Sequence, residues 1–158
     1  MRLKPHQILA LIAAAGSAAL LIGAFGFQLM GYAPCKMCLW QRWPHAAAIA
    51  IGALVALFGA RALNWLGAAA ALTTAGIGAF HTGVERGWWQ GPSSCTGAGN
   101  DLSGLSGAEL LSTTTADTLI MCDEVAWQLL GLSMASWNMA FSLALAAIWI
   151  AAARRQDA

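Results

Sequence analysis

The sequence predicts an all-α membrane protein built as a four-transmembrane-helix bundle. Of its 158 residues, 59% are hydrophobic and only 9% are charged, whereas a soluble domain carries about 25% charged residues. The apolar residues also form four long runs almost free of charge. A single soluble domain of this length cannot bury so much apolar surface. Most of the chain should therefore face lipid, as one integral membrane domain over residues 1–158.

Each apolar run is long enough for a spanning helix of about 20 residues. We place the spans approximately at residues 8–30, 43–60, 62–81 and 132–153. A cleaved secretory signal is the alternative for the first run, because Arg2 and Lys4 precede it. The run exceeds the roughly 7–15 apolar residues of a signal peptide and no clean cleavage site follows, which favours an uncleaved helix.

The positive charges predict the orientation. Four spans place both termini and the turn between spans two and three on one side of the membrane. That side carries five of the eight basic residues, which are Arg2, Lys4, Arg61, Arg154 and Arg155. Because basic loops stay in the cytoplasm, both termini should be cytoplasmic and the cysteines periplasmic, as suits a bacterial inner membrane. The net charge of only +1 gives no sign of a nucleic-acid partner.

Two predicted periplasmic loops, residues 31–42 and 82–131, carry all four cysteines. The first is a short redox loop. The second is longer and rich in glycine and serine near residues 92–107, so it is not expected to form an independent domain. Its leucines around 102–111 and its apolar residues around 125–130 predict short amphipathic helical pieces that lie along the membrane surface.

Cys35 and Cys38 form a Cys-x-x-Cys pair in the short loop. A disulfide that closes so small a loop adds little stability. The spacing is instead typical of redox centres, where thiolate attack and resolution need a partner within reach. Pro34 precedes the pair and signals a helix start. The pair should therefore lie in the first turn of helix two, where the helix N-terminus favours a thiolate.

Arg42 follows Cys38 by four residues and Cys35 by seven. These offsets place the three side chains on one helical face. A cation near the bilayer edge is costly, which makes Arg42 a candidate functional residue. The alternative is that its long side chain reaches lipid phosphates by snorkelling.

Cys95 and Cys122 both lie in the long loop. Taken alone, they are compatible with a structural disulfide that staples the loop. A tetrathiolate zinc site is less consistent with the sequence, because the second pair lacks the close ligand spacing of zinc modules. Haem attachment would need histidine where Leu39 stands. No metal is expected, and His45 and His81 are interpreted as local groups near helix ends.

Six motifs are spread over essentially the whole chain: Pro34-Cys-Lys-Met-Cys-Leu-Trp-Gln-Arg42, His81-x-x-x-Glu85-Arg-Gly-Trp-Trp, Pro92-Ser-Ser-Cys95, Cys122, Gly131-Leu-Ser-Met and Trp137-Asn138. Together they resemble the DsbB family, the quinone-linked disulfide-generating proteins of bacterial inner membranes. Two positions depart from the family: Ala135 stands where members often have proline, and Arg86 where some have histidine.

The resemblance implies a relay of thiol–disulfide exchange. A reduced periplasmic thioredoxin-fold oxidase (DsbA-like) would attack a Cys95–Cys122 disulfide, forming a mixed disulfide with Cys95 that Cys122 resolves. Exchange with the Cys35–Cys38 pair would then pass two electrons to ubiquinone or menaquinone from the membrane quinone pool, with Cys38 presenting the thiolate. Arg42 would contact the quinone, and Arg86 would lie in its vicinity.

Two other functions fit parts of the sequence. A DsbI-like paralogue would use the same chemistry to serve one dedicated thiol oxidase. A non-enzymatic four-helix scaffold would hold two structural disulfides in the same topology. The scaffold leaves Arg42 and the Cys-x-x-Cys at a helix start without a role.

Overall fold

The computed structural model describes residues 3–92 and 121–155. Its elements are α1 (Pro5–Leu29), α2 (Lys36–Phe58), α3 (Leu63–Glu85), β1 (Gln128–Leu129), β2 (Leu132–Ser133) and α4 (Met134–Arg154). Cys95 and the predicted amphipathic piece around residues 102–111 lie outside the described residues.

The four helices alternate in direction and pack in a ring, each against its two sequence neighbours, with α4 closing on α1. The start of α1 meets the end of α2, where His6 Nε2 lies 3.2 Å from the carbonyl oxygen of Gly59. At the same end, Arg61 donates to the carbonyl of Arg155 over 3.2 Å. The basic residues around these helix ends therefore lie opposite to the end that carries Cys35 and Cys122.

Three described helices, α1, α3 and α4, are long and apolar enough to cross a membrane. Helix α2 has a similar length, 23 residues, but is more polar in its first half. The polar residues there are Lys36, Gln41, Arg42 and His45. The mostly helical architecture is confirmed, with three candidate spans and a fourth helix packed among them.

Small residues form the core, and many large apolar residues face outward. The buried cluster comprises Ala10, Ala13, Ala14, Val55, Ala68, Ala71, Leu145, Ala146 and Trp149. By contrast, Ile22, Leu57 and Phe58 each expose more than two thirds of their surface. A water-soluble bundle would bury such side chains. The arrangement suits helices whose backbones approach closely through small residues while their large side chains meet lipid.

Two glycines permit the closest helix contacts. A Cβ at Gly52 of α2 would lie 2.4 Å from the Cβ of Ala14 on α1, and one at Gly67 of α3 would lie 2.5 Å from the Trp149 ring on α4. Real side chains do not approach so closely, so glycine is required at both positions unless the helices separate.

Helix α3 continues to Glu85, one turn beyond the predicted end at residue 81. The prediction ended the span where polar residues begin, but these residues find partners inside the bundle. Thr82 Oγ1 lies 3.1 Å from Ser136 Oγ, and Glu85 accepts a hydrogen bond from Ser133. Internal partners make a polar helical turn compatible with the bundle.

The predicted amphipathic helix around residues 125–130 is wrong. Residues 121–127 are irregular, and β1 then pairs with β2 so that Gln128 faces Ser133 and Leu129 faces Leu132. The two residues between the strands, Leu130 and Gly131, both have positive φ angles, 54° and 76°. Positive φ at both central residues is the requirement of a type I′ hairpin turn. The tight turn therefore overrides the apolar pattern that suggested a helix.

Gly67→Ala should destabilise the bundle, because the new methyl group would collide with the Trp149 ring. Overpacking costs about 1–3 kcal/mol, which exceeds the gain of up to about 1 kcal/mol from helix propensity. Gly76→Ala is the matched control on the same helix, since no atom lies within 4 Å of its Cβ position. Thermal unfolding in detergent should show a lower midpoint for Gly67→Ala alone; equal midpoints for the two variants would contradict the packing described.

Candidate active site

The site begins at the first turn of α2. Cys35 is the N-cap residue, and its Sγ accepts a hydrogen bond of 3.2 Å from the backbone N–H of Cys38. The extended backbone at Cys35 and the preceding Pro34 direct the chain into the helix as the sequence predicts. Cys35 is buried, and Cys38 is half-buried.

The two Sγ atoms lie 2.8 Å apart, and both residues are free cysteines. A disulfide has an S–S length of about 2.05 Å. A small side-chain movement is therefore enough to close the bond, without a change in the helix. This is the geometry of a pair that can alternate between dithiol and disulfide.

The two thiols have opposite pKa shifts. The hydrogen bond from the Cys35 thiol lowers the pKa of Cys38, against the effect of burial, and Arg42 also lowers it. The pKa of Cys35 is raised by the same interaction with Cys38 and by burial. Both residues precede the predicted span 43–60. The negative charge of a half-ionised pair consequently resides on Cys38, the more exposed of the two residues.

Cys122 joins this pair from the far end of the long loop. It is fully buried and clusters with Cys35, Met37 and Val84, with Cys38 packed against them. Three cysteines from two separate segments therefore meet at one end of the bundle. Cys95, predicted as a site residue, lies outside the described residues.

His81, on α3, lies at the junction of the cysteine-bearing segments. Its Nε2 is 3.6 Å from Cys35 Sγ and 3.9 Å from Glu85 Oε1, and its ring also forms a hydrogen bond with the Cys122 backbone. Sequence reasoning assigned His81 only a local role. The signal that was available is the pair His81 and Glu85, two ionisable residues one turn apart at the end of a span.

A polar network continues from His81 into the bundle. The Gln41 side chain connects His81 Nδ1, 3.1 Å away, with Asn138, which donates to Gln41 Oε1 over 2.7 Å. Asn138 also donates to Thr74 Oγ1, and its Oδ1 lies 2.9 Å from His45 Nε2. The network joins α2, α3 and α4 through side chains that lipid could not satisfy. Gln41 and Asn138 belong to motifs named in the sequence analysis, but the hydrogen bonds that join them were not predicted.

A cavity of about 370 Å³ lies beside the thiols. Cys35, Cys38 and Arg42 all border it, in agreement with the single helical face predicted for them. Its apolar lining includes Leu20, Phe27, Trp127, Met134, Trp137 and Phe141. Size, apolar walls and a few polar groups are typical of a site for a small organic molecule.

Arg42 points along this cavity toward α1. Its guanidinium donates to Gln28 Oε1 over 2.8 Å and to the carbonyl of Ala24 over 3.3 Å, and its Cζ lies 4.7 Å from the centre of the Phe25 ring. Its Nε is buried without a partner among the described residues. The side chain is thus held within the protein, which favours a functional role over snorkelling.

Arg86 lies elsewhere. Its guanidinium sits over the Trp88 ring, 5.5 Å from the ring centre, and the residue lines a separate polar pocket with Gln128 and Ser133. It is not among the residues that border the larger cavity. A contact between Arg86 and quinone therefore stays a prediction.

Cys35, Cys38 and His81 place three potential metal ligands within 4.8 Å of one another. Tetrahedral zinc with Zn–S bonds of about 2.3 Å would hold two sulfurs about 3.7 Å apart. The observed 2.8 Å between the two Sγ atoms is much shorter. The geometry favours a thiol pair close to disulfide formation over a metal centre.

The chain is also similar to known proteins over nearly its whole length. Residues 6–152 match the family described as Disulfide bond formation protein DsbB. The chain is 37% identical to a Disulfide bond formation protein B of Verminephrobacter eiseniae, over 85% of this chain and 77% of the relative. The protein of that name from Xanthomonas oryzae pv. oryzae is 33% identical, over 92% of this chain and 87% of the relative. That of Albidiferax ferrireducens is 29% identical, over 96% of this chain and 92% of the relative. No solved structure gives a significant match.

In the fully reduced protein, Cys38 should be alkylated before Cys35. Its pKa is lowered, whereas that of Cys35 is raised, so more reactive thiolate is present on Cys38 near neutral pH. The order of alkylation can be measured on Cys95→Ala/Cys122→Ala protein, in which only Cys35 and Cys38 remain. The protein is treated with substoichiometric iodoacetamide, and mass spectrometry identifies which cysteine is modified. The preference should persist as the pH falls below the usual thiol pKa of about 8.5. Denatured protein is the control, and equal modification in the native state would contradict the assignment.

Proposed function

The chain belongs to the DsbB family of disulfide bond formation proteins, and on that premise we propose that it oxidises a periplasmic thioredoxin-fold oxidase and passes two electrons to a membrane quinone. One observation carries the proposal: buried Cys122 packs against Cys35, whose partner Cys38 borders an apolar cavity beside Arg42. The three cysteines form a continuous path from the long loop, through Cys122, to the cavity, which would hold a lipid-soluble molecule.

The proposed topology has four transmembrane helices in a bacterial inner membrane. Helix α2 supplies the fourth span from about residue 43 onward. Gln41 and His45, near the start of that span, face the network inside the bundle, while Leu57 and Phe58 near the end of α2 face outward. The end that carries Arg61 and Arg155 is cytoplasmic, since basic residues favour that side. The cysteine-bearing end is then periplasmic, where a soluble partner can reach it.

The first step is exchange with the partner. A thiolate of the reduced DsbA-like oxidase attacks Cys95 of a Cys95–Cys122 disulfide, so that a mixed disulfide forms at Cys95 and Cys122 leaves as a thiolate. The roles of these two residues rest on the family resemblance. The position of Cys122 supports them, because it brings the leaving sulfur into the cluster that contains Cys35.

The second step transfers the oxidising equivalent between the two pairs. The Cys122 thiolate attacks Cys35 Sγ, the Cys35–Cys122 bond forms, the Cys35–Cys38 bond breaks, and Cys38 leaves as a thiolate. A low pKa makes a thiol a better leaving group. In the dithiol, the hydrogen bond from the Cys35 thiol lowers the pKa of Cys38, and Arg42 lowers it as well. Once Cys35 is in a disulfide it has no S–H to donate, so it is Arg42 that supports this direction of cleavage.

The residues around the cavity fit a quinone. Apolar side chains from α1 and α4 suit its ring and tail, and the buried, unpartnered Nε of Arg42 offers a hydrogen-bond donor. When bound, ubiquinone or menaquinone supplies a two-electron, two-proton acceptor that side chains cannot provide. Arg42 would hold it close to Cys38 and stabilise negative charge that develops there.

The competing functions differ in measurable ways. A DsbI-like paralogue would share every step and differ only in accepting one dedicated oxidase. A structural scaffold would not equilibrate its disulfides with a thioredoxin-fold partner. The free thiols 2.8 Å apart at a helix start favour redox cycling over a scaffold.

Cys38→Ser should separate the two ends of the relay. The variant should still form the mixed disulfide with a reduced periplasmic thioredoxin-fold oxidase at Cys95, but its reduction of added quinone should fall to background. Quinone absorbance and non-reducing gel electrophoresis measure the two events. Cys122→Ser is the matched control. It has no Cys95–Cys122 disulfide for the reduced partner to attack, so its Cys95 thiolate should form the adduct only with the oxidised form of the partner, whose own disulfide bond breaks as the bond to Cys95 forms. Full quinone turnover by Cys38→Ser would overturn the assignment, and trapping at Cys122 would reverse the two loop roles.

Arg42→Ala should raise the KM for quinone by about 10- to 100-fold, the loss expected for one hydrogen bond to a charged group. Arg42→Lys should give an intermediate value, since it keeps the charge without the planar donor group. Arg61→Ala removes an arginine at the opposite end of the bundle and should leave the KM unchanged. Steady-state kinetics with a soluble quinone analogue measure all three, and an unchanged KM for Arg42→Ala would favour simple lipid contact.

A further inference from the structure

We infer that His81 stabilises the thiolate of Cys35 by donating a hydrogen bond from its Nε2–H. The inference rests on the proposed function and adds to its thiol–disulfide exchange a residue of α3, separate from the cysteines and Arg42. It stands on the geometry around Cys35 Sγ and on the hydrogen bonds that fix the tautomer of the histidine.

The network determines which nitrogen of His81 carries the proton. Gln41 Nε2 lies 3.1 Å from His81 Nδ1, and an amide nitrogen can only donate. The Gln41 orientation is held in turn, because its Oε1 accepts from Asn138 and its Nε2 also donates to the carbonyl of Met37. Nδ1 is therefore the acceptor, and the neutral ring carries its proton on Nε2, the nitrogen nearest to Cys35.

Cys35 Sγ then lies between two N–H donors. The backbone N–H of Cys38 is 3.2 Å away along α2, and His81 Nε2 is 3.6 Å away across the helix interface. Fixed donors directed at a site of developing charge are most effective where water is excluded. Cys35 is 5% exposed and His81 is 2% exposed, so this condition holds.

Neighbouring residues hold the ring in place. Glu85 Oε1 lies 3.9 Å from Nε2, and Ser133 of the hairpin donates to the same carboxyl group. The Cys122 backbone also bonds the ring. While Cys35 is a thiol or part of a disulfide, its sulfur is only a weak acceptor for the Nε2 proton. A negative charge on Cys35 is a stronger acceptor and would draw the hydrogen bond toward sulfur.

Cys35 carries such a charge whenever it leaves a disulfide. In the proposed relay, the Cys95 thiolate that is released when the partner closes its own disulfide attacks Cys122 of the Cys35–Cys122 disulfide. The Cys95–Cys122 bond forms, the Cys35–Cys122 bond breaks, and the electron pair stays on Cys35 Sγ. No electron enters or leaves the sulfurs in this exchange, and no proton is transferred. Burial opposes the charge on Cys35, and the hydrogen bond from His81 offsets that cost.

The test measures the pKa of Cys35 directly. Reduced Cys38→Ala/Cys95→Ala/Cys122→Ala protein leaves Cys35 as the single thiol and removes the Cys38 charge beside it. The other ionisable groups near it are His81 and Glu85 on α3, Lys36 and Arg42 on α2, and Glu124 before the hairpin. Ultraviolet thiolate absorbance against pH, relative to the cysteine-free protein, gives the titration.

Adding His81→Leu should raise this pKa by about one to two units, a ten- to hundredfold smaller thiolate fraction at neutral pH. His81→Gln retains a side-chain N–H and should recover part of the shift. His6→Leu is the matched control, because it removes a buried imidazole at the opposite end of the bundle. A pKa that His81→Leu leaves unchanged, or that His6→Leu raises equally, would overturn the inference.

A second measurement needs no substitution at His81. NMR of isotope-labelled histidine in the single-thiol protein should show the Nε2-protonated tautomer and a change at Nε2 as Cys35 ionises. A proton on Nδ1 would overturn the inference even if His81→Leu does not fold. Because neither readout uses quinone, failure of the wild-type protein to reduce quinone would reject the proposed function alone.

Discussion

Lipid offers no hydrogen-bond partners, so a membrane bundle must satisfy its polar side chains internally, and this constraint organises the whole site. Gln41 is the central case. Its amide bonds to Asn138 of α4 and His81 of α3, and thereby ties the first turns of α2 to α3 beside it and to α4 across the bundle. The redox pair lies one to two turns before Gln41. The contacts that satisfy the amide groups are thus the contacts that position the thiols.

The bundle is tight at one end and open at the other, because its side chains differ in size along its length. Alanines and Gly67 let the helices meet closely around Trp149, near the starts of α1 and α3. Toward the opposite end, aromatic and polar side chains separate α1 from α4 and border the cavity beside Cys38. The cavity therefore lies beside the half-buried Cys38 and away from the packed half of the bundle that maintains the fold.

Features that depend on local spacing were predictable. Pro34 and the Cys-x-x-Cys predicted a helix start with both cysteines in the first turn, where the structure has Cys35 at the cap, and helical periodicity placed Arg42 on the same face. The contact of His81 with Cys35 was not predictable, because 46 residues separate them and only the packing of α3 on α2 joins them. The hairpin at Leu130 and Gly131 was also missed, since its apolar residues suit an amphipathic helix equally well and the turn geometry decides between them.

By itself, the sequence determined the long apolar helices, the distribution of basic residues that favours one orientation, and the redox pair at a helix start. These follow from composition, charge and residue spacing, which act within a single element. Only the tertiary structure decided that Cys122 is buried beside Cys35, that His81 faces the pair, and that a cavity opens along Arg42. Each of those contacts joins elements distant in sequence, and such contacts form only when the helices pack and exclude both lipid and water from their polar groups.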